Sequence, residues 1–173
     1  MDKFGQCFAF TVGIEGGYTA SPADKGNWTG GAVGAGVLKG TKYGISAAKY
    51  PDLDIVSLTL DQAEAIYRKD YWPGIRGDEL PLQLGLVGFD GAVNSGVPES
   101  IIWLQAAAGV KQDADFGQVT LAALLKGDPA ELADNALAER VLYDAALGSW
   151  RIYGRGWARR IMALGRAVAQ AGT

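Results

Sequence analysis

Residues 84–97 constrain the fold more than any other segment, because small side chains recur between large ones. They read Leu-Gly-Leu-Val-Gly-Phe-Asp-Gly-Ala-Val-Asn-Ser-Gly-Val. This interleaving is typical of a helix that other helices approach closely. The segment therefore predicts a central core helix that ends near Gly96 and Pro98. Asn94 and Ser95 then fall in its last turn, where polar side chains can face a cleft.

Most of the sequence after this segment is helical in character. Gly, Asp and Pro signals separate predicted helices over 101–108, 120–126, 130–147 and 157–169, which together predict an all-helical bundle. The last helix carries an apolar stripe flanked by Arg151, Arg155, Arg159, Arg160 and Arg166. We expect the stripe to lie in the core, and the alternative is that this basic helix contacts a membrane surface or an anionic polymer.

The first helix is predicted from Phe4, Phe8 and Val12, which recur at helical spacing. Gly16 and Gly17 supply the residues that end helices, so Glu15 is predicted in the last turn. There the helix dipole and apolar neighbours disfavour a negative charge and raise the pKa of the carboxyl. A carboxyl that keeps its proton near neutrality suits a general acid, although most Glu residues on helices only face solvent.

Between the first helix and the core, residues 19–40 are rich in Gly, Ser, Ala and Asn, and they predict turns and short strands. A long loop inside a compact domain is more often functional than idle, so we expect it to form a wall or lid over a cleft; a surface excursion is the alternative. After this loop, Thr59 and Gln62 form a capping-box pattern that predicts the start of a scaffold helix.

The composition excludes several classes of site. The chain has 173 residues, which suits one compact domain, and it contains no histidine, so the usual zinc ligand and the usual base of Ser and Cys triads are missing. Its one cysteine, Cys7, allows no internal disulfide and is predicted to be a buried thiol. The spacing of Asp113 and Asp115 hints at a calcium-binding loop, but Leu124 occupies the position of the Glu that closes such a loop. A turn before a helix is therefore preferred for this segment. No metal or cofactor is predicted.

The charge and hydropathy limit the partners. A net charge of −3 gives no general basic field, which disfavours nucleic acid. No apolar run approaches the roughly 20 residues of a membrane span, and no export signal is recognised. With no histidine in the chain, catalysis by carboxylate side chains is the chemistry that remains.

Ordered motifs along nearly the whole chain resemble the muramidases of glycoside hydrolase family 108, which are often phage lysis enzymes. These motifs are Glu15-Gly16-Gly17-Tyr18, Ser21-Pro22-Ala23-Asp24, Thr41-Lys42-Tyr43-Gly44-Ile45-Ser46, Ile66-Tyr67, Asp70-Tyr71-Trp72, Phe89-Asp90, Val93-Asn94-Ser95-Gly96 and Leu104-Gln105. The second half is similar to the helical peptidoglycan-associated domain that accompanies this family, through Asp113, Gly117, Thr120 and Gly156-Trp157 with Arg160.

The resemblance implies a mainly α, lysozyme-like α+β fold. In it a helical bundle core carries a small β and loop region near residues 19–46 that forms one wall of the cleft. Residues 1–97 would form the catalytic region and residues 98–173 the peptidoglycan-associated region, packed into one compact domain. The implied activity is cleavage of the bond between N-acetylmuramic acid and N-acetylglucosamine by a monomer.

The resemblance also implies roles for individual residues. Glu15 would protonate the glycosidic oxygen, Asp24 would stabilise the oxocarbenium-like charge or activate water, and Thr41 would place that water. Thr29 is the alternative to Thr41, because residues 25–40 lengthen the link that the family keeps short, and Thr41 is preferred for its Lys-Tyr-Gly-Ile-Ser context. An Asx turn is the alternative role of Asp24.

Four further residues are predicted to contact the sugar. Tyr18, Trp28 and Tyr43 are predicted aromatic contacts, with ordinary packing as the alternative. Asn94 is a predicted donor to an acetamido group, with helix capping as the alternative.

Two other functions remain open at this point. A lytic transglycosylase would use Glu15 alone as acid and base, and a non-catalytic cell-wall binding or secretion-accessory protein would keep the cleft without using it. The resemblance to phage lysis enzymes implies a protein held in the host cytoplasm until a holin-like pore releases it to the periplasmic wall.

Overall fold

The computed structural model describes residues 1–13 and 17–172, so Glu15 lies outside the described residues. The chain divides into two compact units. The helical unit comprises Met1–Thr11 and Arg68–Thr173, and the loop unit comprises Val12–Tyr67. The predicted division after residue 97 stays a prediction.

Six α-helices of the described chain belong to the helical unit. They are α1 (Lys3–Thr11), α3 (Leu82–Ser95), α4 (Val97–Ala107), α5 (Gln118–Lys126), α6 (Pro129–Ala146) and α7 (Trp150–Ala171). The helix α2 (Leu60–Asp70) contains the boundary between the two units, and a short 3-10 helix, Pro73–Ile75, follows it. None of the described helices is long and apolar enough to cross a membrane.

The core helix predicted from residues 84–97 is confirmed as α3, which packs against α1, α4, α6 and α7. Its small residues permit the close approach of α4. A Cβ on Gly88 would lie 3.2 Å from Leu104, and one on Gly91 would lie 2.9 Å from the Ser100 hydroxyl. The helix ends before Gly96, whose φ of 100° L side chains rarely adopt. Asn94 and Ser95 lie in its last turn, as predicted.

An aromatic cluster joins α1 to α3 in the helical unit. The ring of Phe4 lies edge-on to Trp72 at 5.3 Å and to Phe89 at 5.4 Å, with all three side chains buried. Edge-to-face pairs of this kind add stability beyond the area they bury. The apolar stripe of the last helix is also buried, as predicted, at Ile161, Leu164 and Val168.

The predicted end of the first helix is wrong. The helix α1 ends at Thr11, and Gly13 follows with a left-handed φ of 69°. A glycine in this conformation is a common way to end a helix, and it comes before the Gly16-Gly17 pair that the sequence suggested. Glu15 lies outside the described residues, so its predicted place and the predicted rise of its pKa stay predictions.

The loop unit has little regular structure. Strands β1 (Thr41–Lys42) and β2 (Ile45–Ser46) pair antiparallel through a turn at Tyr43 and Gly44, and Lys25–Asn27 forms a single 3-10 turn. Two isolated bridges, Thr19 to Thr41 and Trp28 to Leu38, hold the long loop together. This agrees with the predicted turns and short strands.

The capping box predicted for α2 is confirmed. Gln62 Oε1 accepts from the Thr59 backbone N–H at 2.9 Å, and Thr59 Oγ1 accepts from the Gln62 backbone N–H at 3.2 Å. Two backbone N–H groups at the helix start are thereby satisfied.

Candidate active site

Asp24 occupies the start of the 3-10 turn in the loop unit. Its Oδ1 accepts a hydrogen bond from the Gly26 backbone N–H at 2.8 Å, and the residue is exposed. This is the Asx-type turn that the sequence offered as the alternative reading. The turn engages one carboxylate oxygen and fixes the side chain, which leaves Oδ2 with no hydrogen bond to the described residues. A turn role and a chemical role are thus compatible for Asp24.

Asn27 is fully buried beneath that turn and connects it to the β hairpin. Its backbone N–H donates to the Asp24 carbonyl at 3.1 Å, and its Nδ2 donates to the Ser21 carbonyl at 3.0 Å. Its carbonyl accepts from the backbone N–H groups of Lys39 and Gly40, both at 3.0 Å. The whole segment 21–27 is therefore anchored through one amide side chain and its backbone.

Thr41 is held by the same residue. Its hydroxyl donates to Asn27 Oδ1 at 2.7 Å, and its backbone forms paired hydrogen bonds with Thr19 at 2.8 and 2.9 Å. The Asp24 turn and the Thr41 hydroxyl are thus fixed relative to each other through Asn27. Because the hydroxyl proton is committed to Asn27, the Thr41 oxygen faces any further partner only as an acceptor.

Thr29 has a different local role. Its Oγ1 accepts a hydrogen bond from the Val37 backbone N–H at 2.9 Å and closes the glycine-rich loop 30–36. It makes no hydrogen bond with Asn27 or with the Asp24 turn among the described contacts. Of the two threonines, Thr41 is the one that bonds Asn27, and the choice between them as the catalytic threonine stays a prediction.

The three predicted aromatic contacts lie in the loop unit and differ in availability. Tyr18 is 45% exposed and lines a cavity of about 300 Å³ together with Leu38 and Val56. Trp28 is half-buried, and its Nε1–H donates to the Pro22 carbonyl at 2.9 Å, so its polar edge is already satisfied. Tyr43 has a left-handed φ of 51° at the hairpin turn, and the Lys42 ammonium lies 5.5 Å from its ring. Tyr18 presents the most open ring of the three.

Asn94 lies in the helical unit, at the end of α3. Its Nδ2 donates to the Asp90 carbonyl at 2.7 Å and approaches Asp90 Oδ2 at 3.3 Å. The predicted amide donor is therefore engaged within its own helix, and Gly96 rather than Asn94 forms the helix cap. Any sugar contact of Asn94 would use its carbonyl oxygen.

A buried charge cluster in the helical unit was not predicted from the sequence. The Asp90 carboxylate is fully buried and bonds Arg140 Nη1 at 2.5 Å and Arg160 Nε at 3.0 Å. Arg160 Nη2 also donates to the Thr11 carbonyl at 2.8 Å, in the last turn of α1. One carboxylate thus joins α3, α6 and α7, and Arg160 adds the end of α1.

Arg160 of the last helix bonds into this cluster, which the sequence pattern of that helix did not indicate. The other four arginines of that helix, Arg151, Arg155, Arg159 and Arg166, are exposed. The available signal was Asp90 itself, a charged residue within the apolar core helix. A charge in such a place is rarely buried without a partner of opposite sign.

Beside the cluster, Asp144 has an unusual environment. Burial raises the pKa of its carboxyl, and the positive charge of Arg140 offsets part of that rise.

Cys7, on α1, is fully buried, and burial raises the pKa of its thiol to about 12. A thiol of this kind is a packing group and a poor nucleophile.

One loop of the described chain bears on metal binding. Asp113 and Asp115 lie in the turn before α5, where Gln105 holds them: its Nε2 donates to Asp113 Oδ1 at 2.8 Å and to the Asp115 carbonyl at 3.0 Å. Among the described residues, no three His, Cys, Asp or Glu side chains are grouped to hold a metal ion.

Comparison with known proteins decides the family. The family model described as Glycosyl hydrolase 108 matches residues 8–96, which is more than half of the chain. The chain belongs to the glycosyl hydrolase 108 family. The predicted family is therefore confirmed, and with it a glycoside hydrolase of a peptidoglycan-hydrolase family.

The match of this family 108 hydrolase extends to the fold. SagA from Brucella abortus superposes with a TM-score of 0.78 at 28% sequence identity, and the alignment covers 96% of this chain and 94% of that chain. The predicted mainly helical, lysozyme-like α+β fold is confirmed. No curated protein matches the chain in sequence. The matched residues 8–96 include Glu15, Asp24, Asn27 and Thr41, all in the first part of the chain.

Proposed function

We propose that the protein is a muramidase, which hydrolyses the β-1,4 bond between N-acetylmuramic acid and N-acetylglucosamine in peptidoglycan. Membership of glycosyl hydrolase family 108 supports the reaction class. The observation that carries the finer proposal is the buried Asn27, which ties the Asp24 turn to the Thr41 hydroxyl. Activation of a water requires a carboxylate and a hydroxyl that are held in fixed positions, and one buried residue anchors the segments of both here.

In this proposal Glu15 is the general acid. It donates its proton to the glycosidic oxygen while positive charge develops on the sugar carbon of the breaking bond. The carboxylate of Asp24 either stabilises that charge or takes a proton from the attacking water. Asp24 Oδ2 serves this step, since Oδ1 accepts from Gly26.

Thr41 orients the water. The Thr41 hydroxyl donates its proton to Asn27 Oδ1, so its oxygen accepts a hydrogen bond from the water. This bond leaves a lone pair of the water free to attack the sugar carbon. Tyr18 is the proposed aromatic contact of a sugar ring, because its ring is open beside a cavity. Trp28, Tyr43 and Asn94 remain predicted substrate contacts.

The test is product identification. Purified protein and its Glu15→Gln variant are each incubated with isolated peptidoglycan, and soluble fragments are identified by mass spectrometry. Reducing N-acetylmuramic acid ends from the wild type alone are expected. No fragments from either protein would overturn the enzyme proposal and favour a non-catalytic wall-binding protein.

Asp24→Asn separates the hydrolase from a lytic transglycosylase. The hydrolase loses most of its turnover, because no carboxylate remains to assist the water. A transglycosylase needs no water at this step, so near-normal turnover with anhydro ends would contradict the proposal. Asp134→Asn, at an exposed position on α6, is the matched control for the same chemical change.

We also propose that the enzyme acts as a monomer on the periplasmic wall after release from the host cytoplasm through a separate pore. Fractionation of intact and lysed cells tests this route. Protein found in the periplasm of intact cells would contradict it.

A further inference from the structure

The side of α7 that lies away from the core carries a row of arginines. The helix packs against α3 and α6, and Ile161, Leu164 and Val168 form its buried side. With about 3.6 residues per turn, four exposed arginines fall on the other side, within about 80° of the helix circumference. These four residues, which we call the arginine face, are Arg151, Arg155, Arg159 and Arg166.

The charge of the arginine face is not balanced nearby. After Asp144 the sequence contains five arginines and no Asp, Glu or Lys. Arg160 bonds Asp90, whereas the four residues of the arginine face form no ion pair with any other described residue. The chain has 16 basic and 19 acidic residues, so the part before residue 145 holds 11 of the former and all 19 of the latter, a net charge of −8. The positive charge of the molecule is thus concentrated on α7.

The spacing of these arginines fits an extended partner. From Arg151 to Arg166 the row follows the helix for about 22 Å. A single small anion is held by donors that converge on it, whereas these side chains are spread along the helix axis. A flat negative surface can meet all four at once.

Two large apolar side chains lie among the arginines. Ile152 is 75% exposed and Met162 is 64% exposed. Ile152 precedes Arg155 by three positions, and Met162 lies three positions after Arg159 and four before Arg166, so both share a side of the helix with the arginines. A soluble polyanion would leave these side chains in water, whereas the headgroup region of a bilayer accepts apolar side chains next to basic ones. The combination favours a lipid surface over a charged polymer.

The packing of α7 limits how deeply it can enter a bilayer. The apolar stripe of the helix is buried in the core, and Arg160 bonds Asp90 and the Thr11 carbonyl. No helix among the described residues is long and apolar enough to cross a membrane. Contact at the bilayer surface therefore leaves the helical unit folded, and only Ile152 and Met162 enter the headgroup region.

We propose that the arginine face of α7, together with Ile152 and Met162, is a peripheral binding site for a bilayer surface that contains anionic phospholipid. The helix lies parallel to the bilayer, and its arginines contact lipid phosphates. Each arginine near such a surface strengthens binding about fivefold. The negative charge of the rest of the chain is repelled by the same surface, which favours the orientation with α7 toward the lipid. The site is independent of which bond the enzyme cleaves.

Sedimentation with vesicles tests the binding of the full chain. One set of vesicles contains phosphatidylcholine and phosphatidylglycerol in equal parts, and the other contains phosphatidylcholine alone. The protein is expected to pellet with the anionic vesicles at about 0.1 M salt and to be released at about 0.5 M, where the surface charge is screened. Absence from the anionic pellet, or equal binding to both sets, would overturn the proposal.

Charge variants locate the contact. Arg155→Gln combined with Arg159→Gln is expected to weaken binding at least tenfold, at about fivefold for each arginine. The matched control, Lys69→Gln combined with Lys126→Gln, removes the same charge from exposed positions on α2 and α5 and is expected to change binding less than about twofold. Equal weakening by the two pairs would show that net charge and not the arginine face decides binding. If the arginine pair proves unstable by circular dichroism, Arg166→Gln replaces it, with about fivefold weaker binding expected.

Apolar variants and a competitor distinguish lipid from a soluble polyanion. Ile152→Ser combined with Met162→Ser is expected to weaken binding to anionic vesicles roughly fivefold or more, whereas Val119→Ser, at a 75% exposed position on α5, leaves it unchanged. Unchanged binding by the Ile152 and Met162 pair, together with full displacement from vesicles by poly-L-glutamate, would identify a polyanion site and overturn the lipid proposal. Because the vesicles contain no peptidoglycan, failure of the peptidoglycan assay leaves this outcome unaffected, and the reverse also holds.

Discussion

Asp90 and Arg140 form a buried ion pair at 2.5 Å inside the helical unit, with side chains that are 0% and 3% exposed. Arg160 completes the neutralisation of the carboxylate and donates to the Thr11 carbonyl. A buried charge network is costly to desolvate, but removing one member leaves the others unpaired. Its main effect is therefore to fix the arrangement of α1, α3, α6 and α7.

Asp90→Ala is expected to lower the free energy of unfolding by about 3–5 kcal/mol, since it leaves two guanidinium groups without their carboxylate. Urea unfolding followed by circular dichroism measures the loss. The control is Glu79→Ala, which removes the surface partner of Arg76 at 2.7 Å and is expected to leave the midpoint nearly unchanged. Equal effects of the two variants would show that the buried network does not hold the helices.

Asn27→Ala is expected to lower kcat for peptidoglycan hydrolysis at least tenfold with a smaller change in KM. The reason is that the Thr41 hydroxyl and the Ser21 carbonyl, at the start of the segment that carries Asp24, lose their common side-chain anchor while the sugar contacts remain. Asn27→Asp still accepts from Thr41 and is expected to retain more activity than Asn27→Ala. Asn135→Ala, at an exposed position, is the control. An Asn27→Ala enzyme with normal kcat would contradict the positioning role.

Gly44→Ala is expected to destabilise the hairpin by about 2 kcal/mol or more, because an L residue is strained at this φ of 75°. In addition, the new Cβ would lie 2.4 Å from the Tyr67 hydroxyl, which donates to the Tyr43 carbonyl. Gly34→Ala has a similar φ of 79° and no neighbour within 4 Å, so it carries the strain without the clash. In thermal unfolding, the midpoint temperature of Gly44→Ala should be lower than that of Gly34→Ala. The opposite order would show that the clash with Tyr67 does not matter.

Cys7 is expected to resist alkylation by iodoacetamide in the native protein at pH 8. Its thiol is fully buried, and with a pKa of about 12 it is almost entirely protonated there, whereas the thiolate is the reactive form. Raising the pH toward 12 increases the thiolate fraction, and unfolding in guanidinium should restore ordinary reactivity at pH 8. Mass spectrometry of the intact protein counts the added groups. Rapid native alkylation at pH 8 would contradict this environment.

The sequence determined the elements whose signals are local. The repeated small residues of α3, the capping box of Thr59 and Gln62 and the glycine-rich loop were predictable, because each depends on backbone conformation or on neighbours within a few residues. The family could also be predicted, since its motifs occur in order along the chain. The end of α1 was placed too late, because Gly13 ends the helix before the more conspicuous Gly16-Gly17 pair.

Only the tertiary structure decided which distant polar groups meet. Asp90 pairs with Arg140 across 50 residues and with Arg160 across 70, and no local pattern specifies which arginine of a basic helix faces inward. The Thr41 hydroxyl bonds Asn27, which lies 14 residues earlier in the chain. Such pairings depend on how helices and loops pack, and packing is set by the summed burial of the whole core rather than by the residues that come into contact.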